Sequence, residues 1–297
     1  MASTTPVRGG SSRRARLALT RRVASLPWPA LPALALLALV LLYPLGLGVV
    51  RSISEHDGGL SPYAWFFEND VYLRIMVRTF VTAISVTLVC LVLGYPYAYL
   101  MTIVGRRTRV VLFVIVLLPF WTSALVRTFA WVVLLQPGGI VSSALSPFGA
   151  SERLLGTQTA VLIGMAQLLL PFMVIPLYSA MGGIDRRLLR AAESLGARPA
   201  VAFARVFVPL SLPGVLAGSL IVFVLSLGFY VVPALLGSPS ESLIAQTIYQ
   251  QVSDLLFFGR GGALAVLLLL STVLVLVLVG LLARLLPGGG RAVRRVS

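Results

Sequence analysis

Along the chain, blocks of more than twenty apolar residues alternate with short polar stretches carrying nearly all the charge. The apolar blocks run over Pro29–Val50, Phe80–Met101, Val110–Leu135, Thr157–Ala180, Pro213–Leu236 and Ala263–Leu285. Each is long enough for a helix to cross the hydrocarbon, which takes roughly 20 residues. A closed β-barrel is the other architecture that satisfies a backbone in lipid, but it reads as short alternating strands, not as long continuous runs. The pattern therefore predicts an all-α integral membrane protein with six transmembrane helices. Residues 1–27, rich in Ser, Thr, Gly and Arg and without periodicity, read as a disordered basic tail. Residues 28–73 read as the first span with an external loop, 74–285 as the domain holding the other five spans and 286–297 as a second basic tail. The first block exceeds the core of a signal peptide and no small-residue cleavage site follows it, so it reads as an uncleaved span.

Orientation follows from arginine, because the sequence contains no lysine. The N-terminal tail carries six, the second connection three, the fourth five and the C-terminus four. That puts eighteen arginines on one side against five on the other, with Arg127 inside a span. The positive-inside rule then places both termini in the cytoplasm of a multi-pass protein of the plasma (inner) membrane.

The fourth connection, Met181–Leu212, is too long to be a plain turn. Leu188, Ala191, Ala192 and Leu195 share one face of a helical pattern that starts at Asp185 and stops at Gly196. A second short helix is expected over Ala200–Val208, ending at Pro209. The pair reads as a cytoplasmic knob that meets a partner, or as an interfacial pair lying on anionic lipid through Arg186, Arg187, Arg190 and Arg198.

Composition narrows the function classes. With 58% hydrophobic and 11% charged residues, the net charge of +15 is scattered between apolar blocks and forms no basic face on a soluble domain, so nucleic acid is not an expected partner. Cys90 lies in an apolar run and His56 stands alone in a polar loop, so neither a disulfide nor a metal site is expected. No phosphate cradle of the Gly-x-x-x-x-Gly-Lys-Ser/Thr type exists and no cofactor is expected, so the chain is not an enzyme and any ATP hydrolysis must come from another protein.

The loop residues resemble the cytoplasmic signature of ABC importer permeases, Glu-Ala-Ala, three residues, Gly, nine residues, Ile, one residue, Leu-Pro. Here it reads Arg190-Ala191-Ala192, Gly196, Val206, Val208 and Pro209 with every spacing kept. Arg190 stands where the family has Glu, and Glu193 is a substitute on the same helix face. The resemblance implies the type I importer permease fold, with a coupling helix between spans four and five that docks on a cytoplasmic ATPase through Ala191, Ala192 and Gly196. The segments Leu125–Trp131 and Leu227–Gly237 resemble the spermidine/putrescine branch. The implied partners are a second permease subunit, two ATPase subunits and an external substrate-binding protein, with polyamine as the expected cargo and iron, sulfate or thiamine as alternatives. An ion-gradient-driven transporter or channel is the rival class; it calls for midplane ionisable groups and internal repeats, and neither is visible.

Away from the span ends only Arg127 is charged, and it either snorkels outward or acts near a gate. Tyr95, Tyr97, Trp121, Trp131, Phe229 and Tyr230 are either π-faces for ammonium groups or interface anchors. Arg127, Trp131, Tyr95, Phe229 and Tyr230 form the candidate path. Gly214 and Gly218 are read as a close helix contact, Pro171, Pro176 and Pro233 as kinks beside a cavity, and Glu241–Val252 as an external helix.

Overall fold

A computed structural model describes residues 31–54, 61–145 and 154–285. The two basic tails and His56 lie outside the described residues. Those described residues contain no strand. In chain order the helices are α1 (Leu31–Ser54), α2 (Ser61–Glu68), α3 (Asp70–Ile103), α4 (Arg106–Leu117), α5 (Ala124–Leu135), α6 (Ile140–Leu145) and α7 (Gln158–Gly182). They continue with α8 (Arg187–Ser194), α9 (Pro199–Ala202), α10 (Val208–Leu227), α11 (Val231–Leu236), α12 (Ile244–Tyr249) and α13 (Phe258–Leu285).

Five helical stretches are long and apolar enough to cross a bilayer: α1, α3, α7, the run Pro199–Leu227 and α13. The third apolar block is not a single rod. It breaks into α4 with a 3-10 turn, Leu118–Trp121, and α5, which meet at 96°. Pro119 opens that turn, and Thr122 and Ser123 interrupt the helical hydrogen bonding before α5. The six-span expectation therefore holds only if this bent pair is counted as one span.

α3, α7 and α10 form the packed centre. α7 is the most buried of the spans, with Met165, Leu169, Met173, Leu177 and Met181 among its fully enclosed side chains, which suits a helix with no distinct polar face. The approach of α10 depends on two glycines. A Cβ at Gly218 would lie 3.1 Å from the Met173 carbonyl oxygen, and one at Gly214 would lie 3.0 Å from that of Pro176. With no hydrophobic driving force between helices in lipid, such backbone-close packing supplies the attraction. α1 and α13 pack on each other at the edge of the bundle, and their outer faces are largely exposed apolar side chains.

Hydroxyls inside the spans are satisfied locally. Thr79, Thr87 and Ser226 each donate to the carbonyl four residues back, so burying them leaves no orphan donor.

Two sequence expectations about proline are corrected. Pro209 does not end a helix: α9 runs through a π-helical turn, Phe203–Phe207, directly into α10. The wider turn absorbs the missing N–H and the ring that would clash in a regular α-helix. Pro233 does not kink the fifth span, which ends at Leu227; it sits in the separate helix α11. Pro171 and Pro176 lie inside α7, which stays one helix across both.

Candidate functional site

The 185–209 segment forms a projecting knob at one end of the bundle. Asp185 opens it, its Oδ1 accepting from the Arg187 N–H at 2.9 Å. The helix closes around Gly196, whose φ of +91° is left-handed. Gly196 N–H donates to Glu193 O at 2.9 Å and Ala197 N–H to Ala192 O at 3.1 Å, which pairs the last free carbonyls of α8. Any L-residue at that φ is strained, although a Cβ there would meet nothing within 4 Å.

The knob has an inward and an outward side. Leu189 packs on the core, whereas Leu188 is 48% exposed and Leu195 89%. Ala191 is exposed and Ala192 half-buried. Arg190 and Glu193 line one groove with Tyr99, Arg186 and Phe207, so the two charged positions of the signature face the same space. Two devices tie the knob down. Arg186 Nη2 donates to the Thr102 carbonyl at 2.7 Å, close to the negative C-terminal end of α3. Tyr99 meets Phe203 and Phe207 edge-on, with ring centroids 5.2 and 5.1 Å away. These contacts join the knob to α3 and to the root of α10.

The path candidates divide. Arg127 and Phe229 share a pocket of about 240 Å3 with Phe120, Phe172 and Leu225. Arg127 Nε is buried there with no hydrogen-bond partner. Trp131 lies in an adjoining groove of about 380 Å3 with Tyr97, Gln167 and Pro171; the Tyr97 hydroxyl is engaged, donating to Leu112 O at 2.8 Å. Tyr95 and Tyr230 join neither space. The Tyr95 hydroxyl is 2.9 Å from Ser211 Oγ, linking α3 to α10 near the knob. Tyr230 stacks on Tyr249 of α12 at the opposite end, 4.7 Å between centroids.

Three residues of this region were not among the sequence candidates: Phe120, Phe172 and Gln167. The Gln167 Oε1 is buried without a partner. Its signal was available, an amide at the centre of an apolar block, but a search for ionisable groups passes over it. Among the described residues no group of three or more His, Cys, Asp or Glu converges. At the outer-loop positions, Glu241 and Asp254 bracket α12 and its π-turn, and Thr79 Oγ1 accepts from Ile244 N–H at 3.0 Å to hold that segment on α3.

Comparison with known proteins agrees with this geometry. Over 183 residues the chain is 39% identical to the spermidine/putrescine transport system permease protein PotB of Haemophilus influenzae, a match spanning 61% of this chain and 64% of that protein. Over 221 residues it is 34% identical to PotB of Escherichia coli K12, spanning 73% of this chain and 80% of that one. A crystal structure of a bacterial alginate ABC transporter, in complex with an alginate pentasaccharide-bound periplasmic protein, superposes with a TM-score of 0.66 at 19% identity, over 89% of this chain and 95% of the matched one. That likeness shows the ABC importer permease fold. Residues 91–288 match the family described as binding-protein-dependent transport system inner membrane component, and the chain belongs to that family.

Proposed function

We propose that this chain is the permease subunit of an ATP-driven importer that moves polyamines such as spermidine and putrescine inward. The knob faces the cytoplasm and docks on an ATPase subunit. Its exposed apolar positions Leu188, Ala191 and Leu195, arranged around a left-handed glycine, are the observation that carries this reading. An apolar patch on a polar rim is what a protein partner covers. Arg190 and Glu193 flank the contact from the groove behind it. The working assembly pairs this chain with a second permease, two ATPase subunits and an external substrate-binding protein.

Polyamine as cargo is supported by the two PotB relatives and by the chemistry of the pocket. Phe120, Phe172 and Phe229 offer π-faces in the Arg127 pocket, and Gln167 Oε1 offers an acceptor in the neighbouring Trp131 groove, both suited to ammonium groups. Arg127 among the same aromatics opposes a resting cation. It keeps the site shallow, so ammonium groups pass and do not lodge, as conduction requires. ATP-driven closure of the ATPase pair moves the knob, and the Arg186–Thr102 and Tyr99–Phe203–Phe207 links pass that motion to α3 and α10.

The test is uptake of labelled spermidine by cells carrying the whole system. Uptake should fall with ATP depletion and survive collapse of the proton gradient, and an ATPase should copurify in mild detergent. Uptake that ignores ATP and follows the proton gradient, with no second protein in the complex, would overturn the reading. Identifying the ligand of the cognate binding protein tests the substrate separately.

A further inference from the structure

The structure contains an apolar groove away from the candidate path, bounded by α1, α13 and the last turn of α10. Its volume is about 400 Å3, and its walls include Pro44, Gly48, Gly262, Val266, Leu269 and Thr272. α1 and α13 touch backbone to backbone at one end of it, where a Cβ on Gly262 would lie 2.7 Å from the Gly48 carbonyl oxygen. From Gly262 to Thr272 the groove follows ten residues of helix, a length of about 15 Å. That is half of a hydrocarbon core of about 30 Å, the depth of a single leaflet.

Arg51 lies one turn beyond that end of the groove. It continues the α1 row through Gly48, and Phe258 continues the α13 row through Gly262, one turn further on. The Arg51 guanidinium lies over the Phe258 ring at 5.1 Å. Arg51 is also the first charged residue after the apolar run of α1. That run is about 28 Å long from Pro32 to Val50, so the guanidinium sits at the edge of the hydrocarbon. Stacked on one face, it keeps its N–H edge free to donate to a phosphate. Arg260, held over Trp65 and Phe257 at 4.8 and 4.6 Å, adds positive charge to that end of the bundle.

We infer that this groove binds one acyl chain of an anionic phospholipid, with the headgroup phosphate on Arg51, in the leaflet at the end opposite the knob. An apolar trough one leaflet deep with a cation at the headgroup level matches that molecule at both ends. The groove suits a polyamine poorly, since its walls are almost wholly apolar and carry no carboxylate. The proposal does not depend on the cargo; only the naming of the leaflet as the outer one uses the orientation proposed above.

The experiment uses the assembled complex, exchanged from detergent into bilayers mixing phosphatidylglycerol with phosphatidylcholine and re-extracted, with retained lipid counted by native mass spectrometry. The wild-type complex should retain phosphatidylglycerol above its bulk share. Arg51→Gln should lower that retention about fivefold while leaving phosphatidylcholine unchanged, the size expected for one cation at a membrane surface. Ala265→Phe, at an exposed groove position where a ring fits without displacing a neighbour, should displace both lipids and leave the assembly intact. Retention without headgroup preference, or unchanged by either variant, would overturn the site. Loss of the second permease from the Ala265→Phe complex would also overturn it, because the groove would then be covered by protein.

Discussion

At Gly196 a single φ angle separates folding from coupling. The position is left-handed at +91° but open around a would-be Cβ, so Gly196→Leu strains only the end of α8, by about 1–2 kcal/mol. The variant should insert and accumulate normally, while in proteoliposomes the ratio of uptake to ATP hydrolysis drops at least tenfold. Normal coupling would remove the knob from the mechanism. Gly182, at the end of α7 with nothing within 4 Å and no positive φ, is the matched control and should tolerate alanine. Arg127 calls for the opposite experiment. Its buried Nε has no partner, and an unsatisfied buried donor costs about 1–3 kcal/mol. Arg127→Met should therefore leave the thermal midpoint of the purified complex unchanged or raise it while altering uptake. A lowered midpoint would mean that the guanidinium holds the structure together.

Between elements, the tight interface is α7 against α10, and glycine marks it. At Gly218 a side chain would press on the Met173 sulfur and carbonyl at 2.8 and 3.1 Å. The carbonyl belongs to a buried helix and cannot move away, so Gly218→Val should destabilise the complex by about 1–3 kcal/mol. Gly280 of α13 meets nothing within 4 Å, so Gly280→Ala should be neutral or stabilise by up to about 1 kcal/mol. Thermal unfolding of the two variants separates packing from propensity; equal effects would refute the tight interface. The helix contact at Gly214 and Gly218 was legible from spacing, as were α1, α3, α7 and α13 from their apolar runs. Local backbone geometry was not. Hydropathy is nearly continuous across Leu118–Leu135, so the 96° bend after Pro119 leaves no trace in it. The π-turn before Pro209 is equally hidden, because apolar periodicity does not distinguish a helix that stops at proline from one that widens to pass it. Phe120 and Phe172 became visible as site residues only once the turn before α5, α7 and α10 were brought together, whereas Gln167 was open to view as a lone amide in an apolar block.

The whole molecule has two unlike ends, and its orientation in the membrane rests on arginine asymmetry and can be read directly. Cys90 is the single cysteine and is fully buried between α3 and α7, its Sγ 3.6 Å from the Ala166 carbonyl oxygen. A membrane-impermeant maleimide should leave it unlabelled, so the wild-type chain gives a blank background. Introduced cysteines then report one end each. Arg198 is exposed on the knob, and Ser240 is exposed in the turn before α12 at the other end. Arg198→Cys should react only after the cells are permeabilised, and Ser240→Cys in intact cells. The reverse pattern would put the surface proposed to meet an ATPase outside the cell, where no ATP is available. Labelling of both in intact cells would mean that the two ends are not separated by a bilayer. The measurement also bears on the bent pair. α5 packs on α11 and the N-terminal part of α7, at the Ser240 end, so the bent pair completes a crossing only if α4 starts at the other face. Arg107, exposed in the first turn of α4, supplies that third point. Arg107→Cys should be protected in intact cells like Arg198→Cys, whereas labelling there would make α4 and α5 a re-entrant hairpin and reduce the crossings to five.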